Sequence, residues 1–263
     1  MLDEAWSRVL ELSETVPLLR SPVFFLLLAS VVTLGVNLFF SAVDLVTGRV
    51  RPAAMIKAAL PLLSGLVPFL AMYWTGENVV SCDLPRTAPT MQEFVAQFAA
   101  CLVAGDFSHY LAHRLLHSHR FLRQNVHNVH HEYEGHLYSW VGAQVHPVEA
   151  VLINAAIYWP FVLLAHPLVT WFMAVVATVN ATIAHSGYDG GPFQLGNLLP
   201  LGLTTDDHQL HQDVNATKNF GNILRLWDRV FGTYGENTKH KAMSLPREVW
   251  VALNGQAKHA AGT

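Results

Sequence analysis

The sequence predicts an all-α integral membrane protein of four or five helices with a histidine-rich cytoplasmic cap. Three observations carry that expectation. Of 263 residues, 52% are hydrophobic and only 13% charged, where a soluble domain carries about 25% charged residues; mean hydropathy is +0.29. Uncharged stretches long enough to cross a bilayer recur along the chain. Seven of the fifteen histidines fall between Asp106 and Glu134. A net charge of −3 gives no reason to expect a nucleic-acid partner. Two cysteines, Cys82 and Cys101, are too few for a disulfide framework or an iron–sulfur site.

The elements follow in order. Residues 1–19 set Leu2, Trp6, Val9, Leu10 and Leu12 among acidic positions. They read equally as an amphipathic helix on the membrane surface or as a frayed leader. Asp3, Glu4, Glu11 and Glu14 stand where a signal peptide needs basic residues. Residues 22–42 are uncharged and long enough to span. Residues 58–75 form a second span with Pro61 and Pro68, which membrane helices tolerate. Residues 91–105 run straight into the first histidines, so a third span extends to about His117. Residues 118–147 are polar. Residues 148–184 are apolar and split at His166-Pro167 into a helical hairpin, and 187–203 read as a loop. One membrane domain, 1–263, would comprise the leader (1–19), transmembrane helices (20–105), a histidine-box region with the hairpin (106–236) and a tail (237–263).

The charges set an orientation. Arg49, Arg51 and Lys57 follow the first span, whereas Glu77, Asp83 and a single Arg86 follow the second. Basic loops stay cytoplasmic, so one further span returns Arg114, Arg120, Arg123 and the histidines to the cytoplasm.

His113 and His117 are spaced i, i+4; His127, His130 and His131 are spaced i, i+3, i+4; His208-x-x-His211 is a third cluster. On a helix these spacings put imidazoles on one face, a turn apart. The first two clusters therefore read as two metal-ligand helices, since neutral imidazole is the commonest transition-metal ligand. Chance clustering of surface histidines would explain one pair, not three groups. His146 and His185 stand in HPVE and AHSGYD, from where they could join. So many imidazoles exceed one four-coordinate zinc. Two iron ions fit better, and non-haem iron with open positions activates dioxygen. The shortage of acids differs from Glu-x-x-His di-iron bundles. A membrane metal transporter is the rival, although transporters place ligands near mid-membrane and these lie at span ends.

HRLLH (113–117), HNVHH (127–131) and DHQLHQD (207–213) resemble the boxes of the fatty acid hydroxylase superfamily. DFSHYLAHRLLH resembles the first family box and GNILRLWDRVFGTYGE (221–236) the family's closing signature, while HSGYD (185–189) is similar to a segment of both sterol branches, the C4-methyl sterol oxidases and the cholesterol 25-hydroxylase-like proteins. HPVE (146–149) resembles the former more. The resemblance covers roughly residues 100–235. It implies a membrane di-iron oxygenase that hydroxylates a sterol or related lipid with dioxygen. A lipid desaturase shares the first chemical step. It implies metal-ligand roles for His113, His117, His127, His130, His131, His208 and His211, with His185 a further ligand. His109, His146, Asp106 and Asp207 would be ligands or groups that orient one. Asp228 reads as packing or capping. The third box departs from the family pattern: Gln212 stands where a second histidine is expected, and it would be a weak ligand or hold a water. Loss of that ligand also admits a pseudoenzyme, unless Asp207 or Asp213 compensates. No HPGG haem box is present, so electrons would come from a separate donor such as cytochrome b5 or a ferredoxin and its reductase. The membrane would be the endoplasmic reticulum in a eukaryote and the inner membrane in a bacterium. Tyr133, Tyr138 and Trp140 read as a substrate entrance or as interfacial anchors.

Overall fold

The computed structural model describes residues 2–21, 24–49, 83–133, 137–212, 217–237, 242–244 and 247–248. The span expected at 58–75 lies outside the described residues, as does Asp213. Among the described residues, four long helices form the frame: α2 (Phe24–Thr47), α3 (Met91–Ser118), α5 (Pro147–Leu164) and α6 (Pro167–Ser186). Among the described residues, α2, α5 and α6 are long and apolar enough to cross a membrane. The 28-residue α3 carries its apolar half first and its histidines last. The expectation of an all-α membrane protein holds.

Local signals explain the boundaries. Thr90 and Glu93 form a reciprocal capping box at the start of α3, which satisfies two backbone N–H groups. Both hairpin helices begin with His-Pro. His146 Nδ1 accepts the Val148 N–H at 3.2 Å, and His166 Nδ1 accepts the Leu168 N–H at 3.1 Å. Proline at the first helical position loses no hydrogen bond there. α6 ends at Gly187, whose φ of 75° favours a residue without Cβ.

α3 packs against α5, and α2 against α6. Gly105 lets α3 approach the Ile157 carbonyl so closely that a Cβ would collide with it. The main core joins Phe25, Cys101, Leu102, Tyr158, Phe161 and Met173. Outward residues such as Val31, Leu38, Val151 and Leu163 remain exposed, as lipid-facing positions would.

Three of the four long helices share one polarity. At one end, His166 N donates to Gln97 Oε1 at 2.8 Å, and the His166 ring meets the Thr87 carbonyl. α1 (Leu2–Thr15) docks there and is not frayed: buried Trp6 meets His166 edge-to-face and Trp171 at a tilt, and donates to the Pro85 carbonyl. At the other end, Tyr188 donates to Asp44 at 3.0 Å and Arg49 to the Ser186 carbonyl at 3.3 Å. α2, α3 and α6 therefore all run toward the end that holds the histidines, and α5 runs away from it. That end is closed by α4 (Arg120–Asn125), α7 (Leu195–Leu198), α8 (Thr205–Gln212), α9 (Leu226–Val230) and the parallel two-residue strands β1 (Tyr188–Asp189) and β2 (Met243–Ser244). The region expected to be loop at 187–203 thus contains short elements.

Candidate metal centre

Helix α3 delivers His113 and His117 to the closed end, and α6 delivers His185. The second box is not an α-helix as expected: His127–Tyr133 form a 3-10 helix. The third box is the C-terminal half of α8. These elements bring seven imidazoles into two adjacent buried groups. His113, His117, His127 and His211 form the first; His130, His185 and His208 form the second.

Single-face reasoning fails for the i, i+3 pairs. His127 and His130 go to different groups, and so do His208 and His211. Within α8 the reason is angular: at 3.6 residues per turn, positions i+3 and i+4 lie about 100° apart around the axis. His211 therefore faces one group. Gln212 turns to the other, its amide 2.8 Å from His130 Nε2 and 3.3 Å from His208 Nε2. In the 3-10 helix, residues i and i+3 eclipse but sit about 6 Å apart along the axis, far enough to serve two groups. The i, i+4 pairs stay together. His113 pairs with His117, and His131 Nε2 lies 3.1 Å from His127 Nε2.

In four of the rings the other nitrogen is committed, whereas Nδ1 of His117 and of His130 is buried without a hydrogen-bond partner among the described residues. His113 Nδ1 donates to the Phe220 carbonyl at 3.0 Å, His211 Nδ1 to the Lys218 carbonyl at 2.8 Å and His185 Nδ1 to the Ala181 carbonyl at 2.7 Å. A carbonyl only accepts, so each Nδ1 carries the proton and each Nε2 is left with a lone pair. His127 Nδ1 bonds Glu149 Oε1 at 2.7 Å. The Nε2 atoms then converge: His117 and His127 are 2.7 Å apart, His185 and His208 2.8 Å, and His130 and His185 3.2 Å. His211 Nε2 is buried without a hydrogen-bond partner among the described residues. Lone pairs aimed at a common space suit a cation there, and imidazoles held through Nδ1 are the usual arrangement of metal-ligating histidines. The residues present therefore fit a metal.

Burial, reinforced by neighbouring imidazoles, holds His127, His130, His208 and His211 well below the ordinary 6.5 and His131 at about 3. Neutral imidazole is the ligand form.

The remaining sequence candidates sit elsewhere. His109 is buried one turn before His113 but lies outside both groups. His146 caps α5 and joins neither group. Asp106 accepts the backbone N–H of Ile223 and Leu224, and Asp207 accepts from Thr204 and faces Arg225 at 3.9 Å. Both acids shape loops rather than touch imidazole. Asp228 does so too, accepting the N–H of Phe220 and Gly221 at 2.8 Å each and so fixing the carbonyl that holds His113. Tyr138 and Trp140 are neither entrance nor anchor. They are buried with Leu137 and Val141, and Trp140 donates to Ser41 at 2.8 Å. The Tyr133 side chain lies outside the described ones. Sequence reasoning passed over Glu149 and the 218–221 loop; only the Glu in HPVE, two residues into a helix, was a visible signal.

These features define a helical membrane protein with a buried histidine-rich site able to hold metal. The family model for fatty acid hydroxylases matches residues 98–233. The chain belongs to that family, whose members are iron-dependent. Methylsterol monooxygenase 2-2 of Arabidopsis thaliana is 30% identical over 223 residues, 82% of this chain and 83% of that protein. Methylsterol monooxygenase 1 of Rattus norvegicus is 30% identical over 175 residues, 66% of this chain and 56% of that protein. A very-long-chain aldehyde decarbonylase of Oryza sativa subsp. indica is 33% identical over 152 residues, 57% of this chain and 56% of that protein. No solved structure matches the chain.

Proposed function

We propose that the chain is a di-iron oxygenase that hydroxylates a sterol or related lipid with dioxygen and electrons from a separate carrier. One observation carries the reading: two adjacent groups of Nε2 lone pairs buried at the end of a membrane-length helical frame. His113, His117, His127 and His211 would hold one ion and His130, His185 and His208 the other, with His131 beside the first. Iron bound there supplies dioxygen activation, which imidazole cannot. The chain itself orients the ligands through carbonyls and Glu149. It also keeps water out with buried Leu116, Val141 and Phe220. The sterol assignment draws on the methylsterol monooxygenase relatives, and the decarbonylase relative makes a long-chain aldehyde the second substrate to try. Arg114, Arg120 and Arg123 at the histidine end support a cytoplasmic site. The test supplies the solubilised, iron-loaded protein with dioxygen, a reduced electron carrier and either a C4-methyl sterol or a long-chain aldehyde. Oxygenated sterol is expected, and His130→Ala should lose iron and product together. Full turnover in that variant, or no product from either substrate, would sink the reading.

A further inference from the structure

We propose that the two groups are unequal metal positions and that the Gln212 carboxamide oxygen is the fourth ligand of the second. The ion held there is then the weaker and the first to leave. This rests on the metal-binding reading above and adds to it a rank order and a ligand.

The first group is all imidazole, four rings with His131 against them. The second has three imidazoles, and its fourth side is Gln212, buried to 1% exposure. Four contacts close a ring around one space: His130–His185 at 3.2 Å, His185–His208 at 2.8 Å, Gln212–His130 at 2.8 Å and Gln212–His208 at 3.3 Å. Donor atoms about 2.1 Å from one ion stand roughly 3.0–3.4 Å from each other, so this spacing suits a single ion after a shift of a few tenths of an ångström.

A carboxamide has two faces to offer. Turned one way, its NH2 donates to the lone pairs of His130 and His208. Turned half a revolution about Cγ–Cδ, its oxygen faces an ion between them. An imidazole in that place would have to change tautomer to do both. A neutral amide oxygen is a harder and weaker donor than imidazole for mid-series transition metals. The second ion therefore has one weak bond where the first has none.

The experiment uses the full chain in detergent, loaded with Co2+ and titrated with a competing chelator. Retained metal and the cobalt ligand-field absorption are followed together. Two ions should leave the unaltered chain at chelator concentrations separated by about tenfold or more. Gln212→His should narrow that gap by holding the second ion. Gln212→Glu, which keeps the shape and adds a charged oxygen, should do the same. Gln212→Leu should lose the second ion and keep the first, matching His208→Ala. Coincident release from the unaltered chain overturns the inference and leaves metal binding intact. So does a Gln212→Leu or Gln212→Glu variant that releases both ions as the unaltered chain does. A chain that binds no cobalt or iron at all overturns the metal reading itself.

Discussion

Glu149 reaches His127 from twenty-two positions away, with both groups buried, and their 2.7 Å bond fixes which nitrogen of His127 faces the first group. A carboxylate in this place raises the basicity of the imidazole and locks its ring. Glu149→Gln keeps an acceptor of the same reach but a weaker one. It should weaken metal binding by about 10–100-fold while the thermal midpoint of the protein changes little. Glu149→Leu leaves a buried N–H unpaired and should lower both. Equal metal affinity in all three proteins, read by chelator competition, would show that the contact is packing alone. Gln212 and His211 make the same point about single residues: neighbours in the sequence, they serve different groups.

The 218–221 loop is the element that the site depends on most after the helices. Its Lys218 and Phe220 carbonyls hold His211 and His113. Asn219, at φ 58°, bonds the Asp207 carbonyl and both backbone groups of Gly235. Asp228, on the short α9, clamps Phe220 and Gly221 and takes the Thr233 hydroxyl at 2.7 Å. Asp228→Ala strands two buried N–H groups, each worth about 1–3 kcal/mol. The variant should unfold at a clearly lower temperature and lose metal first from the group containing His113. A variant with an unchanged melting midpoint and full metal content would mean that the loop holds its shape without the clamp.

At the scale of the molecule, three helices running toward the histidine end set a topology that labelling can check. Ser118 is exposed at that end and Arg86 at the other. With Cys82 and Cys101 replaced, Ser118→Cys should react with a membrane-impermeant maleimide only from the cytoplasmic face. Arg86→Cys should react only from the opposite face. The reverse pattern overturns the orientation, and labelling of both from one face overturns the spanning frame.

Legible in the sequence alone were the membrane class, the α5–α6 hairpin broken at His166-Pro167, the long helix that runs on into the first box, and the three histidine clusters. All of these are local: apolar length, a proline that ends a helix, and side chains a few residues apart. The tertiary structure alone decided how the histidines are shared. Which group a ring joins depends on helix type and rotation, and one box adopts a 3-10 helix where its spacing suggested an α-helix. It alone showed His146 to be a cap, because a histidine before proline reads the same in a cap as near a metal. Glu149, Lys218 and Phe220 meet their imidazoles only after α5 and the closing loop dock on α3 and α8. No spacing rule spans such separations, and a backbone carbonyl has no residue type to reveal it.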